Sequence, residues 1–220
     1  ESSDSNPEGL LMPAPFERKH SNPMARATSG NGLRLASTTV RIFFLLTLIL
    51  GIAYPAFMVG VGRIMPAKAD GSMITNASGQ PAGSALIAQE VTKPGFFFPR
   101  PSAAGDNGYD AMASSATNLS PYSKEYQEAI AEKRDEIAQR EGVSPEEVPV
   151  DAVTSSGSGL DPHISTAYAK LQTPRVAKER GLDQQKVEQL VNDATEGNYT
   201  GSANGAPVNV VKLNKALSEQ

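Results

Sequence analysis

The sequence predicts an α+β protein, with one N-terminal transmembrane helix followed by a single mixed α/β soluble domain. Three observations carry this: an uncharged apolar run from Ile42 to Gly62, a Ser/Asn/Pro/Gly-rich stretch before it, and a polar region after it. In that polar region helical and strand-like patterns mix without a regular βαβ rhythm. The predicted divisions are a disordered tail over 1–39, a membrane helix over 40–65 and an extracytoplasmic soluble domain over 66–220. Bulk averages conceal this segregation, since 220 residues at 39% hydrophobic and a mean hydropathy of −0.31 describe an ordinary soluble chain. The averages still exclude classes of chemistry. Zero cysteines rule out a disulfide scaffold, a thiol nucleophile and Cys-based metal sites. Two histidines, His20 and His163, leave no His-rich metal cage. A net charge of −4 gives no global attraction to nucleic acid.

The apolar run, IFFLLTLILGIAYPAFMVGVG, lies between Arg41 and Arg63. Its 21 positions, at about 1.5 Å each, span about 30 Å, the thickness of a bilayer's hydrocarbon core. It must be helical there, because lipid offers no partner to an unpaired backbone group. Pro55 removes one backbone donor and predicts a kink near Gly51–Pro55. Ala67-Lys68-Ala69 offers a signal-peptidase-like pattern, but the run is longer than a signal core of about 7–15 residues and follows a long tail. The reading is therefore a single-pass anchor in the lipid bilayer. Ala53, Ala56 and Gly60 recur at i, i+3 and i+7, a small-residue face suited to helix packing in lipid or a chance of Ala/Gly-rich composition. Arg26, Arg34 and Arg41 on one side against Arg63 and Lys68 on the other favour a cytoplasmic N-terminus in the cell membrane. Charge divides as +1 up to Arg41 and −5 from Arg63 onward. Met24 is a candidate natural start.

In the domain, Ser84–Gln89 reads as a short strand or a helix start. Phe96-Phe97-Phe98 before Pro99 is extended, because residues preceding proline avoid the helical region. Ser120-Pro121 predicts a helix start, and Tyr122, Tyr126, Ile130 and Ile137 give its apolar stripe up to Gly142. Val148–Thr154 alternates as a strand does. After the turn Ser155–Gly159 a helix is predicted from Ser165, bent or split at Pro174 and closed by Gly181. Asp183 caps a further helix with Val187, Leu190 and Val191 on its apolar face, ending near Gly197. Val208, Val210 and Leu213 read as a final strand.

Unusual residues concentrate between Thr154 and Arg180. The Ser-Gly loop there could present backbone N–H groups to a phosphate, with Arg175, Lys178 and Arg180 adding positive charge. A P-loop, however, needs lysine and a hydroxyl directly after its glycines, and Leu160-Asp161 stand there instead. A hydrolase would use Ser158 as nucleophile, His163 as base and Asp161 or Asp151 as orienter, but the nucleophile elbow fails because position 156 is serine. Asp161 and His163 alone make a poor metal site, so no metal ligands are assigned. Glu125, Glu128, Glu132, Asp135 and Glu136 interleave with Lys124, Lys133 and Arg134 as a solvated face. Asn76-Ala77-Ser78 fits the N-glycosylation pattern.

Taken together, Gly83–Gln89 (GSALIAQ), Arg100–Ala103 (RPSA), Thr117–Ser120 (TNLS), Val148–Ser165 (VPVDAVTSSGSGLDPHIS), Gln172 with Arg175–Gly181 (RVAKERG), and Val208–Leu217 (VNVVKLNKAL) occur in a distinctive order. In that order, behind one membrane helix, they resemble the C subunit of the Kdp high-affinity potassium-transporting ATPase, the KdpC family, from about Met24 to Leu217. The tail before Met24 exceeds the family's usual short N-terminus, and Ala88 stands where glycine is common.

That resemblance implies an accessory subunit without catalytic residues of its own. Its implied partners are a potassium-binding A subunit, a P-type ATPase B subunit and a small F subunit. It implies no tightly bound cofactor, with ATP met through the pump complex, and a role as catalytic chaperone that raises the pump's ATP affinity. The residues it assigns to nucleotide are Ser156, Gly157, Ser158, Gly159, Leu160, Asp161, Pro162, His163 and Gln172. Charge asymmetry points the other way, because an outer domain cannot reach cytoplasmic ATP and would instead cap the potassium entrance. The competing reading is a membrane-anchored extracytoplasmic hydrolase or binding module.

Overall fold

The computed structural model describes residues 28–75, 79–197 and 205–220. His20, Met24 and the Asn76-Ala77-Ser78 pattern lie outside the described residues. The chain divides into two compact units, Glu1–Val61 and Gly62–Gln220.

The described part of the first unit is helical. Helix α1 (Thr28–Leu48) leads through a five-residue π-turn, Ile49–Ala53, into α2 (Tyr54–Ile64). Asn31–Ile64 is one apolar helical stretch of 34 residues whose most apolar window reaches a mean hydropathy of 2.4, with none of it buried. Phe43, Phe44, Leu50 and Phe57 are all exposed, which water would penalise and lipid would not. The kink predicted near Gly51–Pro55 takes the form of the π-turn. Pro55 has no N–H, and its ring crowds the carbonyl one turn back, so the preceding turn widens and Tyr54 N–H donates to Ile49 O, five residues behind. Helix α1 begins at Thr28, inside the stretch 1–39 that composition assigned to the tail. Once the apolar span has nucleated a helix, each added residue such as Leu35, Arg34 or Leu33 costs little. Ala53 ends the π-turn while Ala56 and Gly60 sit on α2, all exposed, and a Cβ at Gly60 would meet nothing within 4 Å.

The second unit is the mixed domain. A short helix α3 (Pro66–Ala69) precedes the antiparallel hairpin β1 (Met73–Thr75) and β2 (Pro81–Ser84). No helix or strand follows until α4 (Lys124–Glu141). Then come a 3₁₀ turn (Pro145–Glu147), α5 (Val150–Val153), β3 (His163–Ser165), α6 (Thr166–Arg180), α7 (Gln184–Asp193), β4 (Pro207–Asn209) and α8 (Val210–Ser218). Strands β3 and β4 pair antiparallel, with Ile164 opposite Val208. The α+β class is thus observed. The core joins Phe97, Ile137, Val153, Ile164, Tyr168, Val176, Val187, Val191, Val208, Leu213 and Leu217 around α6. Burying each such side chain contributes about 1.5–3 kcal/mol.

Several sequence expectations are corrected here. Val148–Thr154 is not a strand: α5 occupies Val150–Val153, and its buried face is Asp151, Ala152 and Val153. Four residues are too few to separate a period of 2 from one of 3.6. Val210 and Leu213 belong to α8, not to a strand. With Leu217 they fall at i, i+3 and i+7, all buried, and Asn209 ends β4 by accepting a hydrogen bond from Lys212 N–H as the helix cap. Ser84 ends β2 and a turn follows, with Ser84 Oγ donating to Gly71 O (2.7 Å) and accepting from Leu86 N–H (3.1 Å). Helix α4 starts after Ser123, not Ser120-Pro121, because Ser123 N–H and Oγ–H both close onto Ser120 O in a preceding turn. Tyr122 is therefore 90% exposed and lies outside the stripe, whereas Ile137 is buried. Helix α6 continues through Pro174 unsplit, and Gly181 closes it at φ 63 as expected. Helix α7 stops at Asp193, before Gly197, where Glu196 N–H turns to Pro207 O (2.8 Å).

Asp151 couples α5 to α6. Its buried carboxylate accepts from Ser165 N–H and Ser165 Oγ–H, each at 2.7 Å, while Ser165 Oγ caps α6 at Tyr168 N–H (3.0 Å). Replacing Asp151 with Ala strands both buried donors. The folded chain should lose about 2 kcal/mol or more of unfolding free energy, read from denaturant unfolding of the detergent-solubilised protein by circular dichroism.

Candidate functional site

Phe97 lies in the core between the half-buried Phe96 and Phe98, with no strand beside them. Two side-chain amides take the place of one. Phe97 N–H donates to Asn214 Oδ1 and Asn214 Nδ2 donates to Phe97 O, both at 2.9 Å. Phe98 N–H donates to Gln172 Oε1 (2.7 Å), and Gln172 Nε2 donates to Phe98 O (3.1 Å). Each amide reproduces the donor–acceptor pair of a peptide group. Gln172, assigned to nucleotide by resemblance, is fully buried and its amide is committed to this pairing.

The same segment is framed by cations. The Arg140 and Arg175 guanidiniums lie 4.1 and 4.8 Å from the Phe98 ring centre, and that of Arg180 lies 5.0 Å from the Phe96 ring centre. Between the first two sits Glu141, whose side chain is fully buried and accepts from Arg140 Nε (2.8 Å) and Arg175 Nε (2.9 Å). Arg175 also donates to Gln172 Oε1 (2.9 Å), to Phe96 O (3.1 Å) and to Pro94 O. Arg140 donates to Tyr168 Oη (3.0 Å), while burial pushes the Tyr168 hydroxyl up. Arg175 and Arg180, read from sequence as cations for a phosphate, thus point into the domain. Sequence reasoning missed Arg140, Glu141 and Asn214. The available signal was the i, i+3 spacing of Gln172 and Arg175, which places both on one face of α6.

The Ser155–His163 loop closes against the RPSA segment. Gly159 sits at φ 68, and a Cβ there would lie 2.5 Å from Ser115 O and 2.9 Å from Ala104 N, so only glycine fits. Ser102 Oγ donates to Gly159 O (2.6 Å) and accepts from Tyr109 N–H (2.7 Å). Ser158 O accepts from Ser115 N–H (3.1 Å) and Ser114 Oγ–H (3.0 Å). Leu160 O and Pro162 O accept from Ala88 N–H and Val210 N–H, each at 2.9 Å. Ser156 Oγ and Ser158 Oγ lie 3.3 Å apart and accept from Asp161 N–H and Leu160 N–H. Gly157 and Ser158 form the exposed tip. Tyr109 anchors the far side through its hydroxyl to Arg100 O (2.9 Å), and burial raises its pKa to about 12.

From the loop runs a ladder of alternating charge. Arg100 Nη1 meets Asp161 at 3.5 Å, His163 Nδ1 meets Asp161 Oδ1 at 3.0 Å, His163 Nε2 meets Glu196 Oε2 at 3.2 Å, and Lys212 Nζ meets Glu196 Oε1 at 2.6 Å. The hydrogen bond to Asp161 holds the His163 pKa above its usual value. Burial works against Asp161 ionisation, yet the hydrogen bonds from His163 hold its carboxyl below the usual range. Both imidazole nitrogens face carboxylates, so neither serves Ser158, and the serine, histidine and aspartate do not form a triad.

A family model described as "KdpC: K+-transporting ATPase, c chain" matches residues 36–219. The chain belongs to the KdpC family. Its similar relatives include the "Potassium-transporting ATPase KdpC subunit" of Kineococcus radiotolerans, 46% identical over 85% of this chain and 94% of that protein. The subunit of the same name from Polaromonas naphthalenivorans is 46% identical over 80% and 90%, and that of Mycobacterium tuberculosis 43% identical over 83% and 96%.

Two predictions follow from this KdpC geometry. His163 gains partners on folding, so its raised pKa contributes stability fully present below its ordinary value of 6.5 and lost as pH rises through the folded value. The melting temperature should therefore fall in the native chain as pH rises above the ordinary histidine value, and His163→Gln should lose that fall. The lowered carboxyls of Asp161 and Glu196 act in a separate acidic window, losing their contribution only as pH falls below the ordinary carboxylate range. Replacing Gln172 with Met keeps the volume and leaves the Phe98 peptide groups unpaired. Unfolding free energy should drop by about 2–4 kcal/mol, and amide exchange at Phe98 should accelerate accordingly.

Proposed function

We propose that the chain serves as a non-catalytic accessory subunit of a potassium-transporting ATPase, anchored by its apolar helix with the mixed domain on the outer side of the cell membrane. Its relatives bear the name of that subunit. The observation that carries the non-catalytic part is the charge ladder. Asp161 and His163, the acid–base side chains of the most unusual loop, are engaged with Arg100, Glu196 and each other. The domain then works as a rigid body held against the pump's partner subunits, with the positive-inside asymmetry favouring the outer face.

The finer reading inherited from the resemblance, a catalytic chaperone touching ATP through Ser156–His163 and Gln172, has one observation in its favour. Gly157 and Ser158 stand exposed at the loop tip. Against it weigh Asp161, which repels phosphate, and the burial of Gln172. One experiment separates the two. Protease added outside spheroplasts should remove the domain, and a reconstituted pump carrying Ser158→Ala should keep its half-saturating ATP concentration within about twofold. Cleavage only after the membrane is opened, with a tenfold rise in that concentration, would instead assign the loop to nucleotide.

A further inference from the structure

We propose that a cavity between the β1–β2 hairpin, the segment Gln89–Thr92 and α8 receives an extended peptide segment from a partner subunit, which adds to this chain as a strand. The proposal rests on the accessory-subunit reading and names the surface through which it works. The cavity holds about 340 Å³. Ala88, Pro99 and Val210 form a buried floor, and Phe96 and Val211 stand on its walls. Pockets of this size and lining suit a few apolar side chains.

The backbone decides what fills it. Residues 88–93 run without turn or bend, and Lys93 is held extended by Pro94. The N–H and C=O groups of Gln89, Glu90, Val91 and Thr92 take no partner among the described residues. Four consecutive open peptide groups beside an apolar hollow match another backbone, as in strand addition. An acyl chain in the same place would leave all of them dry and unpaired. Gly83 shapes the neighbouring wall. At φ 144 it has no Cβ, and one placed there would lie 2.0 Å from Gln89 Nε2. The Gln89 amide therefore lies flat on β2, keeps no partner among the described residues, and is available to the incoming segment. Charge selects within that class, because Lys93 and Lys215 outnumber Glu90 on the lining. Lys93 makes no ion pair among the described residues, and Lys215 has only the exposed Glu219 at 3.6 Å. The occupant is thus a segment alternating small apolar residues with a carboxylate that reaches these lysines.

The test is hydrogen exchange on the full chain, free in detergent and within the purified pump. Amides of Glu90, Val91 and Thr92 should exchange at least about 100-fold more slowly in the assembly. Val211→Trp, which fills the hollow, and Lys215→Glu on the exposed rim should each abolish that protection and lower co-purified partner subunits about tenfold. The melting temperature of free Lys215→Glu should fall by no more than a few degrees, the cost of an exposed ion pair and a like charge at a helix end. Equal exchange in both states, or protection that survives both substitutions, overturns the proposal while leaving the subunit reading intact. Equal protection of the free chain in phosphatidylethanolamine/phosphatidylglycerol vesicles would identify the occupant as lipid and also overturn it. Failure of the native chain to bring down any pump subunit would instead overturn the subunit reading.

Discussion

The backbone of Phe97 and Phe98 is paired by the amides of Asn214 and Gln172, and this replacement of a strand by side chains governs how the mixed domain is arranged. An extended segment buried in a core must satisfy its peptide groups, and each one left open costs about 1–3 kcal/mol. Here the solution draws one residue from α6 and one from α8, separated from the segment by 74 and 117 positions. The two helices are thereby locked to the same extended rod. Arg175 then completes the arrangement by bonding the Gln172 oxygen and the Phe96 carbonyl, with Glu141 balancing its charge. Such a buried ionic network contributes little net stability of its own, but removing one member would leave an unpaired charge in the core.

The remaining segments can stay irregular because this frame is rigid. Residues 85–123 form no helix or strand, a length that few compact domains tolerate. They are ordered by side-chain hubs instead: Ser102 Oγ bonds Gly159 O and the N–H groups of Ala104 and Tyr109, and Ser115 reaches Ser158. Gly159 permits the two loops to touch backbone to backbone. The charge ladder from Arg100 to Lys212 then ties this face to α8. The residues that looked most chemical in the sequence are the ones that hold loops together. A module of this kind suits an accessory subunit of the KdpC family.

Local signals were legible wherever a short-range rule decides the outcome. Gly142 and Gly181 close their helices in the left-handed conformation, Asp183 caps α7, and Pro55 marks the disturbed turn of the membrane helix. Errors fell where short segments offer two periods at once. Val148–Thr154 and Val210–Leu213 alternate well enough for strands, yet burial of Ala152 and Val153 in one case and Leu213 and Leu217 in the other selects helices, while Val208 does lie in β4. Of the candidate site, composition singled out the Ser-Gly turn within Thr154–Arg180, while the bounds Ser156–His163 came with the family resemblance. The role of Gln172 was not, because an amide reads the same whether it faces a ligand or a buried peptide group.

The sequence by itself determined that this chain has an apolar anchor, a mixed domain and no cysteine chemistry, because length, charge and residue type alone set those limits. The order of its motifs also identified the family. Only the tertiary structure decided the direction in which Gln172, Arg175, Asp161 and His163 act. Their partners Phe98, Glu141, Arg100 and Glu196 lie 74, 34, 61 and 33 positions away. No local rule reaches across such distances, and only the closed core brings the donors to their acceptors.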